Sequence, residues 1–234
     1  MTGSPSLAVE GLDKTYPGAQ PVHALRGVGF AVEGAEFVAI VGPSGSGKTT
    51  LLALIGGLLS PSAGRVLVDG RDVSRLSSRE LARYRRDSVG YVFQANNLLP
   101  FLTGRENLMV MASVAGIPRR TAAERADRLL SELGMTSRAG ALATELSGGE
   151  RQRIAIGRAL MNDPALVLVD EPTASLDSVR GRRVVELLVS EIKTRGKLGL
   201  MVTHDHDMAA LADRVIELHD GEIVSTTGRA PNQA

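Results

Sequence analysis

The stretch from Gly42 to Thr49, which reads Gly-Pro-Ser-Gly-Ser-Gly-Lys-Thr, limits the folds open to this chain. It matches the phosphate-binding pattern G-x-x-x-x-G-K-[ST], and it lies between an apolar run at 36–41 and a helical pattern at 48–55. In a strand, loop and helix arranged this way, backbone N–H groups and the positive end of the helix point at phosphate oxygens. The stretch therefore predicts a nucleotide-binding loop within an α/β fold.

The residue types in this loop suit a polyphosphate. The glycines allow a tight turn, because they adopt backbone conformations closed to other residues. Lys48 would neutralise the β- and γ-phosphates, and the Thr49 hydroxyl would be a ligand of Mg²⁺. We expect the whole loop and the residue after it to contact the nucleotide: Gly42, Pro43, Ser44, Gly45, Ser46, Gly47, Lys48, Thr49 and Thr50.

The composition argues against several other kinds of protein. With 27 basic and 26 acidic residues the net charge is only +1, so no nucleic-acid partner is expected. The chain has no cysteine, which excludes disulfides, thiol catalysis and thiolate metal sites. Its N-terminus lacks the pattern of a signal peptide, and no apolar run approaches the roughly 18 to 20 residues that span a bilayer. We therefore expect membrane contact only through a partner.

The periodicity of apolar residues predicts one α/β domain over residues 1–234, with a mainly parallel sheet core, an antiparallel β subdomain and an inserted helical subdomain. The core and β subdomain are expected at about 1–94 and 163–228, and the helical subdomain at about 95–162. The tail from Thr226 is expected to be frayed, and 229–234 is the part that belongs to neither the core nor a subdomain. Strands are predicted at 7–16, 22–32, 36–41, 64–70, 88–93, 165–169, 198–202 and 215–218. Helices are predicted at 48–55, 79–86, 103–133 with a break at 116–118, 148–161, 179–195 and 207–211.

A second motif places two carboxylates after an apolar strand. The stretch 165–171 reads Ala-Leu-Val-Leu-Val-Asp-Glu, and ligands of open α/β sheets bind at the carboxyl ends of strands. Asp170 is a candidate for the Mg²⁺ shell, and Glu171 could orient or deprotonate a water. The alternative is an ordinary strand followed by an acidic helix cap.

A third motif, from Leu146 to Glu150, reads Leu-Ser-Gly-Gly-Glu and opens a helical pattern. Ser147 followed by two glycines at a helix start makes a second anion-binding N-terminus in the same chain. Ser147 and Glu150 also have the spacing of a capping box. That local role can coexist with a binding role.

These motifs, in this order, resemble the ATP-binding cassette (ABC) family of transporter subunits, and the resemblance spans nearly the whole chain. It implies a P-loop NTPase fold of the ABC type that binds ATP and Mg²⁺ and hydrolyses ATP. Tyr16 resembles the aromatic residue that stacks on adenine, although an exposed hairpin aromatic is the alternative. Gln94 resembles the glutamine that reaches Mg²⁺ and the attacking water. His204 resembles the histidine that contacts the γ-phosphate.

The family resemblance also implies that ATP joins two copies head to tail, so that neither chain completes the site alone. The loop at 42–49 of one copy would face 146–150 of the other across the nucleotide. The implied catalytic residues are Lys48, Gln94, Glu171 and His204. The implied Mg²⁺ ligands are Thr49, Gln94 and Asp170. The residues implied to act across the dimer are Leu146, Ser147, Gly148, Gly149, Glu150 and Asp177.

Within the family, the chain is most similar to the lipoprotein-release and macrolide-efflux branch, on stretches at 15–18, 93–100 and 171–177. This resemblance implies a cytoplasmic subunit, peripheral on the inner face of the membrane, that contacts an integral permease between Ala95 and Leu102. Burial in the subdomain core is the alternative for that segment. Two alternatives of function stay open: a regulatory ATPase of the cell-division type, which acts through a membrane partner without transport, and a soluble ABC ATPase.

Overall fold

A computed structural model describes residues 7–174 and 176–228, so the predicted tail at 229–234 lies outside the described residues. The strands are β1 (Leu7–Tyr16), β2 (Val22–Val32), β3 (Phe37–Val41), β4 (Ala63–Val68), β5 (Arg71–Asp72), β6 (Val89–Val92), β7 (Leu166–Asp170), β8 (Leu198–Thr203), β9 (Arg214–His219) and β10 (Glu222–Gly228). The α-helices are α1 (Lys48–Ile55), α2 (Ser78–Ser88), α3 (Gly104–Val114), α4 (Arg119–Glu132), α5 (Gly148–Leu160), α6 (Ser178–Thr194) and α7 (His206–Ala209). Short 3₁₀ turns occupy Val73–Arg75, Thr136–Arg138 and Ala143–Glu145.

The strands form two sheets. One is antiparallel, with the order β2-β1-β4-β5. The other has the order β10-β9-β3-β8-β7-β6, and all of its pairings are parallel except that of β10 with β9. Every residue of β3, β7 and β8 is buried, as expected for parallel strands covered on both faces.

The two faces of the parallel sheet pack against different layers. Along β3, Phe37, Ala39 and Val41 belong to a core shared with α3, α4, α5 and α6. Val38 and Ile40 point the other way, into a core shared with α1 and the antiparallel sheet. This alternation follows from the two-residue period of a strand. The P-loop helix α1 thus lies between the two sheets.

Most predicted elements are confirmed, with ends that agree within about two residues. The prediction of a frayed tail from Thr226 is wrong for the described residues, because β10 continues to Gly228. Its side chains are almost all exposed, so it carries no hydrophobic pattern. Backbone pairing with β9 holds it, with Thr226 opposite Ile216 and Gly228 opposite Arg214.

Parallel strands β3, β7 and β8 all end at one edge of the sheet. The glycine loop follows β3, Glu171 follows β7 and His204 follows β8. The topology therefore gathers segments that are far apart in the chain. Across residues 7–174 and 176–228, no helix is both long and apolar enough to cross a bilayer.

Candidate nucleotide-binding site

The glycine loop owes its shape to close packing against neighbouring backbone. Gly42 and Gly47 have φ of 153° and 101°. A Cβ on Gly42 would lie 2.0 Å from the carbonyl oxygen of Leu218, and one on Gly47 would lie 2.3 Å from that of Ala24. Gly45, with φ of 84°, has open space around it, so only its backbone conformation favours glycine.

Gly42→Ala should lower the free energy of unfolding by about 3 kcal/mol or more, because the methyl group must displace the backbone of β9. Urea denaturation of the purified variant measures this. Gly140→Ala is the matched control, since no atom lies within 4 Å of a Cβ there, and its effect should stay within about 0.5 kcal/mol. Equal stability of the two variants would contradict the packing account.

The Lys48 ammonium is held at the mouth of the loop. Its Nζ donates to the carbonyl oxygens of Gly42, at 2.7 Å, and Pro43, at 2.8 Å. Burial lowers the pKa of the Lys48 amine, while the carboxylates of Glu171 and Asp170 oppose that shift. Within the described part of the chain, the buried Ser46 Oγ has no hydrogen-bond partner. A cradle with a cation and an orphaned donor fits a phosphate group.

Thr49 and Asp170 meet beside the loop. Thr49 Oγ1 donates to Asp170 Oδ1 at 3.3 Å. Burial raises the pKa of the Asp170 carboxyl and the Glu171 carboxylate adds to this, whereas Thr49 and Lys48 oppose it. Hydroxyl and carboxylate oxygens are the ligands that Mg²⁺ prefers, and a cation would offset the burial of the Asp170 charge. The residues present therefore fit Mg²⁺.

Glu171 occupies an unusual backbone position next to Asp170. Its φ is 44°, and its N–H donates to the carbonyl of Val202 at 3.0 Å, which turns its side chain out of β7 toward β8. His204 Nδ1 lies 3.0 Å from both carboxylate oxygens of Glu171, and Thr203 Oγ1 donates to one of them at 3.4 Å. The His204 side chain is 67% exposed and that of Glu171 14%. Both residues line the same cleft as the glycine loop.

Gln94 and Tyr16 are two further predicted site residues, and both lie near the glycine loop. Gln94 lines a cleft of about 430 Å³ together with loop residues, Glu171 and His204. Tyr16 is 37% exposed, with its hydroxyl 3.4 Å from Thr50 Oγ1 at the edge of that cleft. Lys14 Nζ lies 5.2 Å from the centre of the Tyr16 ring.

The cleft has a wall that our sequence reasoning missed. Val22, His23 and Ala24, at the start of β2, line it. The signal was present in the predicted hairpin, because β1 and β2 pair with Tyr16 opposite Val22 and Thr15 opposite His23. A candidate adenine-stacking residue on one strand indicates that its cross-strand neighbours flank the same ligand.

The residues predicted to act across the dimer do not line this cleft, and Ser147 and Asp177 among them are helix caps. Ser147 caps α5: its Oγ accepts from Glu150 N at 3.3 Å, and Glu150 Oε2 accepts from Ser147 N at 2.8 Å. Gly148 and Gly149 form the first turn, while Leu146 is buried. Asp177 caps α6 by accepting from Arg180 N at 3.0 Å. Among the described residues that line the cleft, none comes from 146–150 or is Asp177.

The comparisons with known proteins agree with this geometry. A family model described as ABC transporter matches residues 25–174. HrtA of Staphylococcus haemolyticus, a hemin import ATP-binding protein by name, is 44% identical over 93% of this chain and 99% of its own. The lipoprotein-releasing system ATP-binding protein LolD of Bacteroides fragilis is 42% identical over 93% of this chain and 100% of its own.

A longer relative and a solved structure extend the comparison. The macrolide export ATP-binding/permease protein MacB of Rhodospirillum rubrum is 45% identical over 97% of this chain, which spans only 35% of that protein. The dimeric post-hydrolysis structure of the ATP-binding cassette MJ0796, bound to ADP and Pi, has a TM-score of 0.86 and 37% identity over 96% of this chain and 99% of its own. The α/β fold with its antiparallel and helical parts, the glycine loop and these matches together establish that the chain belongs to the ABC transporter family, as an ATPase subunit of the ABC cassette fold.

Proposed function

We propose that this chain hydrolyses ATP as a dimer and drives a separate membrane permease, in a system of the efflux, lipoprotein-release or mechanotransmission type. The observation that carries the proposal is the convergence of Lys48, Gln94, Glu171 and His204 on one cleft at the carboxyl edge of the parallel sheet. A cation beside a phosphate cradle can neutralise phosphate charge, and a carboxylate and a histidine nearby can position and deprotonate a water, which together serve phosphoryl transfer to water.

Each residue would have a distinct role in that reaction. The Lys48 ammonium would exchange the carbonyls of Gly42 and Pro43 for the β- and γ-phosphate oxygens of ATP. Glu171 would accept a proton from the attacking water as its oxygen bonds to the γ-phosphorus and the bond to ADP breaks. His204, which already contacts the Glu171 carboxylate, would hold the γ-phosphate. Tyr16 would stack on adenine.

Magnesium belongs to the same proposal. Thr49, Asp170 and Gln94 would hold Mg²⁺, which neutralises phosphate charge when it is bound. The hydrogen bond of Thr49 to the buried Asp170 supports this assignment, because it already brings two oxygen ligands together.

A second copy would complete the site. Ser147 is exposed, and a Cβ on Gly149 would meet no atom within 4 Å, so the N-terminus of α5 is open to a partner. The local capping box leaves other N–H groups of the first turn free to face an anion. In the dimer, Leu146 to Glu150 and Asp177 of one chain would face the ATP held by the other.

An apolar groove supports the proposed membrane partner. It measures about 370 Å³, and its wall includes Phe93 together with Asn97 and Leu99, the last two from the predicted contact segment between Ala95 and Leu102. Phe101, in the same segment, does not line the groove but is 71% exposed. Exposed apolar surface of this kind marks interaction sites. A helix of a permease on the cytoplasmic face of the membrane would occupy the groove, and this chain would be peripheral there.

The proposed division of the chain follows from these partners. The core and β subdomain, about 1–94 and 163–228, would hold ATP, and the helical subdomain, about 95–162, would carry both the groove segment and the residues that act across the dimer. Binding of ATP between two chains would then move the parts that touch the permease.

Co-purification from detergent-solubilised membranes tests the partner. The tagged chain should bring down an integral membrane protein, and Phe101→Asp should reduce the recovered partner at least tenfold, because it puts a charge into an apolar contact. Val224→Asp is the control, since Val224 is an exposed apolar residue on β10, far in sequence from the predicted contact segment between Ala95 and Leu102. Equal recovery with both variants would contradict the proposed contact.

The same experiment separates the alternatives. No membrane protein at all would favour a soluble ABC ATPase. If a partner is recovered, a substrate-flux assay in vesicles containing both proteins separates a transporter from a regulator of the cell-division type, which would hydrolyse ATP without moving a substrate.

A further inference from the structure

We infer that Arg158 is a positioning residue that holds the Gln94 loop on the helix α5, so that hydrolysis depends on it although it touches no nucleotide. The inference rests on the proposed function, since it needs Gln94 to act in hydrolysis. Three observations support it: two hydrogen bonds from Arg158, the left-handed backbone conformations of Asn96 and Asn97, and the partial burial of the Arg158 charge.

The contact joins residues that are distant in the chain. Arg158 Nη2 donates to the carbonyl oxygen of Asn96 at 2.6 Å, and Nη1 donates to that of Asn97. One planar guanidinium therefore spans two consecutive carbonyls that follow Gln94 by two and three positions. Two N–H donors on one rigid guanidinium form a fork, and its two hydrogen bonds fix both the position and the orientation of the loop backbone.

The loop backbone is shaped to accept this fork. Asn96 and Asn97 have φ of 56° and 49°, both in the left-handed region, where asparagine is favoured among residues other than glycine. Consecutive residues in one helical conformation point their carbonyls in nearly the same direction. Two strained positions in a row need outside support, and Arg158 gives it.

Among the residues that the structure describes, the charged guanidinium of Arg158 forms its hydrogen bonds with these two backbone carbonyls and not with a carboxylate. Burial lowers the pKa of its guanidinium, and within the described residues it forms no ion pair with a carboxylate. Burying a cation without an anion costs free energy unless its N–H donors are hydrogen-bonded. The two carbonyls accept those hydrogen bonds, so they keep the Arg158 side chain in this position.

The position of Arg158 links the two surfaces of the proposed function. Arg158 and Asn97 line the apolar groove, and Gln94 lines the nucleotide cleft. The same side chain also anchors the loop to α5, the helix that begins after Ser147. A displacement at the groove would therefore reach Gln94 through the carbonyls that Arg158 holds.

Steady-state hydrolysis by Arg158→Gln tests the inference in the isolated full chain. We expect kcat to fall about tenfold or more while the KM for ATP changes less than about twofold, because Gln94 is misplaced for the hydrolysis step while the glycine loop and Lys48, which hold the phosphates, are unchanged. Arg158→Lys should lie between wild type and Arg158→Gln, since an ammonium replaces one donor of the fork. Arg153→Gln is the control: Arg153 lies on the same helix but donates to Leu133, and its kcat should stay at the wild-type level.

A double variant separates positioning from general damage. Gln94→Ala alone should lower kcat, and adding Arg158→Gln should lower it less than about twofold further, because the two changes remove the same interaction. Additive losses, an equal loss in Arg153→Gln, or wild-type kcat in Arg158→Gln beside a slow Gln94→Ala would each overturn the inference. Wild-type kcat in Gln94→Ala would instead overturn the proposed role of Gln94, and the inference with it.

Discussion

Glu171→Gln should bind ATP as tightly as the wild type and hydrolyse it roughly 10²- to 10⁴-fold more slowly, the range by which a positioned general base accelerates a reaction. The amide has the shape of the carboxylate and can still accept a hydrogen bond from His204, but it cannot take a proton from water. The Lys48 cradle and the contact of Thr49 with Asp170 are untouched by the change. Binding and turnover should therefore separate.

Two measurements check this result. Nucleotide titration and phosphate release give affinity and rate, and gel filtration with Mg-ATP should show a dimer, because an unhydrolysed γ-phosphate keeps both helix N-termini engaged. Glu186→Gln is the control, since Glu186 is an exposed carboxylate on α6 that bonds only to Arg182 among its described neighbours. A persistent monomer, or turnover within tenfold of wild type, would count against the scheme.

Ser147→Phe should spare nucleotide binding and reduce hydrolysis by about two orders of magnitude or more, the usual loss when a preorganised donor to developing charge is removed. The cleft that holds ATP within one chain contains no part of 146–150 among the described residues, so affinity in the monomer should survive. The bulky ring would keep the second copy from approaching the γ-phosphate.

The chain contains a matched control for the capping role of this serine. Ser77 caps α2 with the same reciprocal bonds to Glu80 that Ser147 makes to Glu150. Ser77→Phe should therefore cost the same cap, about 1 kcal/mol, without slowing hydrolysis. If both variants lose hydrolysis equally, the loss comes from the helix and not from the dimer.

Residue patterns predicted a large part of the fold and of the candidate site. The structure of the glycine loop depends only on local backbone conformation and on backbone dipoles. The sequence therefore predicts its position between a strand and a helix. The apolar runs of β3, β7 and β8 predicted buried parallel strands that end at one edge, with Asp170 at the end of β7 and Glu171 and His204 just after β7 and β8. The roles of these residues stay predictions.

Other features had no local signal. Strand β10 has side chains that are almost all exposed, and it is held by backbone pairing with β9. Ser147, Ser77 and Thr103 all start helices with the same capping box, so local structure alone does not distinguish the proposed binding cap from the other two. Only the place of each helix in the tertiary structure separates them.

Local chemistry and strand periodicity thus decided the class of fold and the candidate nucleotide site. Both depend on short-range backbone conformation and on which residues of each segment are buried, and both of these can be inferred from the sequence. Tertiary packing decided the apolar groove and the contact of Arg158 with the Gln94 loop. These depend on which distant segments meet, and Arg158 lies more than 60 positions from the carbonyls that it binds. No periodicity within one segment carries that information.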